Sequence, residues 1–446
     1  MASDPLCAVG AAVTVPPSHS RYLNSDAHYL RNLTVKGSPV NDEADLSLLS
    51  GIRVLELGNY IAAPFATRIF ADFGAQVVKI ERPGTGDELR GWRRGRGETS
   101  MMFRTIARNK HSVTLDLRTD EGRDIVLALA RQCDVVVENF RPGTLERWGI
   151  GPDRLTAANP DLVIVRISGY GQTGPYKDRP GFGGVAEAFG GLRKVTGYPD
   201  REPVRPAAPI GDTLAGLYGA IGALMMLLAK ARGHAPAGPQ VADVALYESV
   251  FMAMESLVPD LDAYGVVRER TAGNLPGVVP SGMYPTSDSQ SVMIAGNSSG
   301  VFGRLMTTVG RPDLGEDPTL ADGDSRDARE AELNGAISAW TTQHTAPEAV
   351  SLLSEAKVPV GPVFDAAAIA ADEHYRARDM LRPLKVVVDG DPEEIRFPGV
   401  VPRVSATPGD VRWAGPDLGS HTEQILGGLL GYTAEQLEDL RARKVI

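Results

Sequence analysis

Short apolar runs alternate with amphipathic segments from Gly51 onward. Segments with helical spacing, of which Pro64–Phe73 and Glu121–Gln132 are the clearest, lie between these runs. Continuous apolar strands that alternate with helices are typical of an α/β fold built on a doubly wound parallel sheet. Ligands of such sheets gather at the carboxyl ends of the strands. The predicted strands are Ile52–Leu57, Gln76–Ile80, Ser112–Leu115, Asp134–Val137 and Leu162–Ile167.

The pattern divides the chain into four predicted segments. Residues 1–47 show no sustained period and predict a flexible N-terminal extension, whereas residues 48–265 hold the sheet and linker helices of a large α/β domain. Residues 270–365 predict a smaller inserted α+β domain, and residues 366–446 predict short strands in a segment that returns to the large domain. The predicted elements of the later part of the chain are helical segments at Thr213–Lys230, Val241–Leu257, Phe302–Val309, Ala331–Ser354 and Ala434–Arg443, and a strand at Val292–Ala295.

Composition excludes several classes of partner. Lys and Arg total 46 against 56 Asp and Glu, and the formal net charge of −10 argues against nucleic acid or an anionic membrane as partner. The apolar stretch Thr213–Ala229 is shorter than a membrane span and is interrupted by glycines, so it predicts a buried helix. Two cysteines, Cys7 and Cys133, are too few for a disulfide framework and predict a reducing, cytoplasmic compartment. Scattered basic residues in the extension leave mitochondrial targeting open.

Several common catalytic motifs are absent from the sequence. No Gly-x-Gly-x-x-Gly follows the first predicted strand, and the chain has no Walker loop, His-Glu-x-x-His or Gly-x-Ser-x-Gly. The 7 histidines are scattered without a close pair, so no metal site is predicted. Nicotinamide, nucleoside-triphosphate, zinc-protease and serine-hydrolase chemistry therefore lose their main support.

One carboxylate, Asp212, stands between a Pro-Ile-Gly turn and the apolar helix. An Asp at such a place is most often a helix N-cap, whose side chain accepts a hydrogen bond from a free backbone N–H group. The place also suits a nucleophile, because a helix start keeps a carboxylate ionised and stabilises a nearby oxyanion. An ionised carboxylate needs no base to attack an activated carbonyl. The residues alone leave both interpretations open.

A basic cluster is the second candidate on this acidic chain. Arg90, Arg93, Arg94 and Arg96 follow the second predicted strand closely. Guanidinium groups near strand ends suit the phosphates of a nucleotide-bearing ligand. A solvated loop with structural salt bridges is the alternative interpretation of the same residues.

Long motifs in a fixed order carry more information than any single residue. They are Gly51–Leu57, Ala63–Ala66, Asp72–Asp87, Asn109–Lys110, Asp134–Gly143, Ser168–Pro175, Gly211–Asp212 and Pro416–Thr422. Together they closely resemble the class III CoA-transferases, the family of formyl-CoA transferase and carnitine CoA-transferase. The resemblance extends from the first predicted strand to the end of the chain.

This resemblance implies a large doubly wound domain completed by the C-terminal segment, a smaller inserted domain and a homodimer of two interlocked chains. It aligns Asp212 with the family's nucleophile, which attacks an acyl-CoA thioester to give an aspartyl-acyl anhydride and CoA thiolate. Return of the thiolate and entry of an acceptor carboxylate then exchange the acyl groups through an aspartyl-CoA thioester. The implied partners are an acyl-CoA and a carboxylic acid, with coenzyme A as part of a substrate and no permanently bound cofactor.

The resemblance also implies a set of contacts to CoA near the strand ends. They carry over to Ile61, Ala62, Arg82, Leu115, Arg118, Asn139, Phe140 and Arg147. The arginines would serve phosphates or the adenine side of CoA, and ordinary surface salt bridges are their alternative role. Asn139 would otherwise cap a turn, and Phe140 would otherwise belong to the core.

Racemases related to this family are the main alternative. They abstract the proton beside the thioester carbonyl with a His and Asp pair, and their His corresponds to Phe182, which cannot carry a proton. Many transferases have an acid one position later, where this chain has Gly183. That departure keeps a third hypothesis open, a catalytically idle CoA-binding protein.

Two segments of the predicted small domain bear on the substrate. The tetraglycine lid of formyl-CoA transferase is not visible near Ala272–Gly277, which disfavours formate and oxalate. The segments Gly277–Thr286 and Gly296–Ser299 resemble family members that act on short dicarboxylates. We therefore expect succinyl-CoA or another short dicarboxylyl-CoA as donor and a C4–C5 acid such as malate, mesaconate or itaconate as acceptor. Transfer of CoA between two carboxyls of one acid would use the same chemistry.

Overall fold

The computed structural model describes residues 47–446, except residues 96, 235–237 and 276. The predicted N-terminal extension therefore lies outside the described residues apart from its last position. The main sheet consists of β1 (Arg53–Glu56), β2 (Gln76–Glu81), β3 (Lys110–Thr114), β4 (Val135–Glu138), β5 (Val163–Ser168) and β6 (Gln240–Ala245). Its strands are all parallel, in the order β3-β2-β1-β4-β5-β6. The predicted α/β fold with a parallel sheet is confirmed.

Helices cover both faces of this sheet. The helices of this part of the chain are α1 (Ala62–Asp72), α2 (Met101–Ile106), α3 (Asp120–Ala130), α4 (Thr144–Arg147), α5 (Pro152–Ala158), α6 (Gly183–Phe189), α7 (Leu192–Val195), α8 (Ile210–Ala231), α9 (Leu246–Met252) and α10 (Leu257–Tyr264). Successive strand residues point to opposite faces. Val54 and Val77 accordingly pack with α1 and α8, and Leu55 and Val78 pack with α3. The continuous apolar strands thus fill two cores.

The sixth strand corrects the prediction of a helix over Val241–Leu257. Residues Gln240–Ala245 pair in parallel with β5, and helix α9 begins only at Leu246. Partly buried and exposed residues alternate along β6, as on an edge strand with one covered face. Val241 and Val244 are β-branched and fit that pleated surface. Their spacing is also compatible with a helix, which is why the apolar pattern misled the prediction.

Two smaller sheets follow the main sheet in the chain. The strands β7 (Ser281–Pro285), β8 (Ser291–Ala295) and β9 (Val360–Pro362) form an antiparallel sheet, and β10 (Leu381–Val388) and β11 (Asp391–Pro398) form a hairpin.

The predicted helical stretch Ala331–Ser354 is two helices, because Thr345 starts a new helix with a capping box closed by Glu348. The helices of this region are α11 (Ser299–Thr308), α12 (Pro312–Gly315), α13 (Gly323–Ala328), α14 (Glu330–Thr341), α15 (Ala346–Glu355), α16 (Ala366–Ala371) and α17 (Glu373–Ala377).

The end of the chain packs against the main sheet. Two helices, α18 (Thr422–Leu430) and α19 (Ala434–Ala442), place Ile425 and Leu440 in the same core as Leu55. The backbone N–H of Thr114 at the end of β3 donates to Oγ1 of Thr422 at 3.0 Å. These contacts cover the sheet near the carboxyl ends of its strands.

Helix α8 has two different faces. It is the one helix in the described ranges whose length and composition would suit a membrane span, with a mean hydropathy of 1.7. Its inner face is packed so closely that a Cβ on Gly216 would stand 2.8 Å from the Ala62 carbonyl oxygen. Its outer face exposes the apolar side chains Leu217, Ile221, Met225 and Leu228. The prediction of a buried helix is therefore wrong for this outer face.

Candidate active site

Asp212 lies in the first turn of α8, as its third residue. Pro209 is the N-cap of the helix, and no side chain caps it. The interpretation of Asp212 as the N-cap is wrong, because α8 begins at Ile210 and not at Thr213. Within the part of the chain that the structure describes, no donor forms a hydrogen bond with the Asp212 carboxylate. Its oxygens are therefore available to a substrate.

The backbone of Gly183 lies directly against this carboxylate. A Cβ atom on Gly183 would stand 2.0 Å from Oδ2 and 2.8 Å from Cγ of Asp212. No side chain fits there while Asp212 keeps this position. The missing acid at residue 183 is therefore a steric consequence of how close α6 and α8 approach each other.

A second carboxylate reaches the site one turn further along α6. Glu187 is fully buried, and its Oε2 accepts a hydrogen bond from Nε of Arg193 at 3.1 Å. Its Oε1 accepts a hydrogen bond of 3.4 Å from the N–H of Gly211, the residue before Asp212. Sequence reasoning missed Glu187, although its spacing of four from Gly183 places both on one helical face.

The environment raises the pKa of Asp212 from its usual 3.8 to about 6. Burial is the largest cause, the negative charge of Glu187 adds to it, and the positive charge of Arg205 opposes it. The helix terminus does not hold this pKa low, contrary to the expectation from sequence. At pH 7 the carboxylate is nevertheless mostly ionised.

The loop between β1 and α1 borders the same site. Ile61 and Ala62 lie at the start of α1, and the Ala62 carbonyl contacts Gly216, which is one turn of α8 beyond Asp212. Tyr60 adopts a left-handed conformation with φ 64°, and its ring meets Phe182 edge-on at 5.9 Å. This loop therefore contacts α8 through Ala62 and the residue before α6 through Tyr60.

A cleft opens at the carboxyl ends of β1 to β4. It brings together four of the predicted CoA contacts, Arg82, Leu115, Arg118 and Phe140. The other four, Ile61, Ala62, Asn139 and Arg147, are not among the residues that line it. Ala62 contacts α8 at Gly216, and Ile61 packs with Leu89 and Phe103. Arg147 donates to Oγ1 of Thr144 at 2.9 Å on α4.

The chemistry of the cleft suits a nucleotide. Asp116 accepts two hydrogen bonds from the exposed Arg118, at 2.9 and 2.7 Å. These bonds and the nearby charge of Arg82 lower the pKa of the Asp116 carboxyl despite some desolvation. Phe140 packs edge-on against Trp148 at 5.1 Å, which forms an aromatic wall. Sequence reasoning missed Asp116 and Trp148 as lining residues.

Asn139 has a structural role at the edge of the cleft. Its Oδ1 accepts from the N–H of Asn59 at 2.9 Å, and its Nδ2 donates to the Asn59 carbonyl oxygen at 2.8 Å. It thereby fixes the loop after β1 to the end of β4. The alternative role of Asn139 as a cap of its own turn is thus replaced by this longer-range bridge, and its predicted contact with CoA stays a prediction.

Comparison with known proteins shows which family the chain belongs to. The family model described as CoA-transferase family III matches residues 49–422. The chain belongs to this family. A succinyl-CoA–D-citramalate CoA-transferase of Chloroflexus aurantiacus is 46% identical over 400 residues, covering 89% of this chain and 98% of that protein. The α subunit of a succinyl-CoA–L-malate CoA-transferase of the same organism is 40% identical over 404 residues, covering 89% and 92%.

A solved structure agrees with the family. The crystal structure of a CaiB/BaiF family protein from Brucella suis has a TM-score of 0.76 and 31% identity, and the match covers 86% of this chain and 99% of that one. The chain is thus a class III CoA-transferase that acts on CoA thioesters, as the resemblance implied.

The arginines of the basic cluster differ in their surroundings in this CoA-transferase. Arg90 is buried and pairs with Glu81 through two hydrogen bonds of 2.8 Å, so the salt-bridge interpretation holds for it. Arg93 donates to the Ala207 carbonyl oxygen at 3.1 Å. Arg94 is exposed, and Arg96 lies outside the described residues.

Proposed function

We propose that this enzyme transfers CoA from succinyl-CoA, or another short dicarboxylyl-CoA, to a C4–C5 dicarboxylate. The names of two relatives support this choice, because both pair succinyl-CoA with a short dicarboxylate, D-citramalate or L-malate. The observation that carries the mechanism is the Asp212 carboxylate, which is ionisable near neutral pH and has no hydrogen-bond donor of its own among the described residues.

Asp212 is the proposed nucleophile. One of its oxygens attacks the thioester carbonyl of the donor, the C–S bond breaks, and an aspartyl-acyl anhydride forms with release of CoA thiolate. The thiolate attacks the aspartyl carbonyl, which releases the donor acid and leaves an aspartyl-CoA thioester. The acceptor carboxylate attacks that thioester, which releases CoA thiolate and forms a second anhydride between Asp212 and the acceptor. The thiolate attacks the acceptor's carbonyl in this anhydride, which gives the new acyl-CoA and releases the Asp212 carboxylate. No resident cofactor is required by these steps.

The start of α8 supports this chemistry electrostatically. The first N–H groups of a helix have no intrahelical partner, and the helix dipole adds positive potential there. Asp212 lies within that first turn, so an oxyanion that forms on its carbonyl or on the acyl carbonyl is close to these groups. The same potential favours attack by an incoming carboxylate.

We infer that CoA extends from the cleft to Asp212. Arg82 and Arg118 are suited to its phosphates, and the Phe140–Trp148 wall is suited to its adenine. The pantetheine arm would pass the loop at Ile61 and Ala62, which contacts α8 one turn from Asp212. Binding energy from the distant nucleotide can offset the cost of forming a reactive anhydride.

The exposed face of α8 supports the proposed interlocked homodimer. Leu217, Ile221, Met225 and Leu228 present an apolar surface on a helix whose most apolar window is only 28% buried. Exposed apolar patches of this kind mark interaction sites. A second copy of the chain is the proposed occupant, and light scattering of the purified protein should give twice the chain mass.

The decisive experiment compares three proteins in one transfer assay. The enzyme is incubated with succinyl-CoA and either D-citramalate, L-malate, mesaconate or itaconate, and new CoA thioesters are identified by mass spectrometry. Asp212→Ala should abolish transfer while CoA binding is retained. Asp153→Ala removes an exposed Asp from the first turn of another helix, α5, and should leave transfer intact. Hydroxylamine added with succinyl-CoA should convert Asp212 to a hydroxamate in the native enzyme.

Other outcomes would support the alternatives. Transfer at near-native rate by Asp212→Ala would overturn the assignment of the nucleophile. Exchange of the α-hydrogen of a branched acyl-CoA with solvent deuterium, without any acceptor acid, would indicate a racemase. CoA binding with neither reaction, across further acyl-CoA donors, would indicate a catalytically idle protein.

A further inference from the structure

Four charged side chains surround the reacting position. Asp212 and Glu187 are the anions, and Arg193 and Arg205 are the cations. A Cβ on Gly184 would stand 3.2 Å from Nη2 of Arg193 and 3.9 Å from Cζ of Arg205, while the adjacent Gly183 lies against Asp212. Two consecutive glycines at the start of α6 therefore border the nucleophile on one side and both guanidinium groups on the other.

The two arginines differ in how they are engaged. Arg193 donates to Glu187 from Nε at 3.1 Å, and its side chain is 24% exposed. Arg205 approaches the same carboxylate only to 3.8 Å, and its side chain is 55% exposed. Glu187 is thus neutralised by Arg193, whereas the guanidinium of Arg205 donates no hydrogen bond to any residue that the structure describes.

The segment that carries Arg205 is anchored on both sides. The N–H of Val204 donates to the Thr196 carbonyl oxygen at 3.1 Å. On the other side, the Ala207 carbonyl oxygen accepts from Arg93 at 3.1 Å. The backbone on either side of Arg205 is therefore tied to its surroundings, although the segment has no regular secondary structure.

The charges balance in a way that depends on the state of Asp212. With Asp212 ionised, the two anions and two cations sum to zero. When Asp212 becomes part of an anhydride or a thioester it is neutral, and the positive charge of Arg205 is left without a counter-charge. The second carboxylate of a dicarboxylate supplies the missing negative charge, whereas a monocarboxylate has no second carboxylate to supply it.

We propose that Arg205 binds the distal carboxylate of the dicarboxylate that reacts at Asp212, and that it thereby selects dicarboxylyl over monocarboxylyl groups. This inference rests on the proposed transfer function and adds the residue responsible for its substrate class. A charge-assisted hydrogen bond between guanidinium and carboxylate provides the discrimination. The phosphates of CoA are the other anions that Arg205 could meet, and the experiment separates the two.

The test measures isotope exchange between an acid and its own CoA ester. Labelled succinate with succinyl-CoA reports the dicarboxylate, and labelled butyrate with butyryl-CoA reports a monocarboxylate of equal chain length. Arg205→Ala should lower kcat/KM for the succinyl exchange by about ten- to a hundred-fold. The butyryl exchange and the Kd for free CoA should stay within about two-fold, and Arg205→Lys should recover part of the loss.

Arg201→Ala is the matched control, because Arg201 lies in the same segment and stacks over Tyr198. It should change neither exchange. The proposal is overturned if Arg205→Ala leaves the succinyl exchange unchanged, or if it weakens the succinyl exchange, the butyryl exchange and CoA binding alike. Absence of every exchange in the native enzyme would instead contradict the transfer function, so the two failures are distinguishable.

Discussion

Glu56 and Asp212 are two carboxylates of the same domain with opposite surroundings. Glu56 is fully buried at the end of β1, and its two oxygens accept hydrogen bonds of 2.8 Å from Lys79 and Lys110. Burial alone would raise the pKa of Glu56, but the two lysines outweigh it and lower the pKa to about 2. Asp212 has no such donors within the described part of the chain, and its pKa is raised to about 6.

The difference shows how a fold distinguishes structural from reactive carboxylates. The Glu56 carboxylate accepts hydrogen bonds from Lys79, from Lys110 and, at 2.5 Å, from Oγ1 of Thr67. Attack on a substrate would therefore require the loss of a buried ion pair. Asp212, when it attacks, gives up no hydrogen bond to any of the residues 47–446 that the structure describes. The same comparison explains why burial alone does not identify an active site.

The largest expected effect is on the Glu56 cluster. Glu56→Gln removes one charge from a buried group of ion pairs and leaves Lys110 without its anion, which should cost about 3–5 kcal/mol of unfolding free energy. Denaturant unfolding or a low soluble yield would show it. Asp161→Asn breaks a solvent-accessible pair with Lys230 and should cost about 1 kcal/mol or less. Equal stability of the two variants would contradict the structural role of Glu56.

Gly183→Ala tests the close approach at Asp212. The added methyl group would stand 2.0 Å from Oδ2, so the carboxylate must move, and kcat/KM for the succinyl exchange should fall on the order of a hundred-fold. CoA binding should be retained, because the cleft at the strand ends is untouched. Gly335→Ala in α14 meets nothing within 4 Å and should leave the exchange unchanged. Full activity of Gly183→Ala would show that Asp212 reacts from another position.

Much of the sheet could be predicted from the apolar pattern alone. The strands β2, β4 and β5 are rich in Val and Ile and are buried along nearly their whole length, and such runs have few alternative structures. The edge strand β6 could not be distinguished in this way, because Val241 and Val244 fit a helix as well as a half-covered strand. Edge strands are determined by pairing with a neighbour that is distant in sequence.

The site was less accessible to sequence reasoning than the fold. Asp212 stands out by its place between a turn and an apolar helix, but an Asp there is most often a helix cap, and only the family motif favours the role of nucleophile. Glu187 was missed, because only the packing of α6 against α8 brings it to the backbone of Gly211. The sequence shows Gly183 only as a missing acid, whereas in the structure a Cβ atom there would stand 2.0 Å from Oδ2 of Asp212, so any side chain at residue 183 requires the Asp212 carboxylate to move. Such effects depend on distances between elements, which no local pattern contains.

The pH dependence of the succinyl exchange tests whether the pKa of Asp212 is raised, in contrast to the lowered pKa of Glu56. Only ionised Asp212 attacks, so kcat/KM for the succinyl exchange should rise with pH, reach half its maximum near pH 6 and then level off. Glu187→Gln removes a negative charge that raises this pKa, so the midpoint should move to lower pH. Glu438→Gln on the distant α19 should leave it in place. A midpoint that does not respond to Glu187→Gln would assign the titration to another group.

The smallest expected effect is a gain in stability from Asp212→Asn. The folded-state pKa of Asp212 lies above its unfolded value of 3.8, so ionising this group costs stability as pH rises through the interval up to about 6. Asn has no charge to bury, and at pH 7.5 the variant should be more stable by about 1–2 kcal/mol after solvent screening is allowed for. Near pH 4 the native Asp212 is protonated as well, and the gain should largely disappear. Melting temperatures of both proteins at the two pH values measure the difference, and a gain that is equal at both would show that it arises from packing and not from the charge that makes Asp212 reactive.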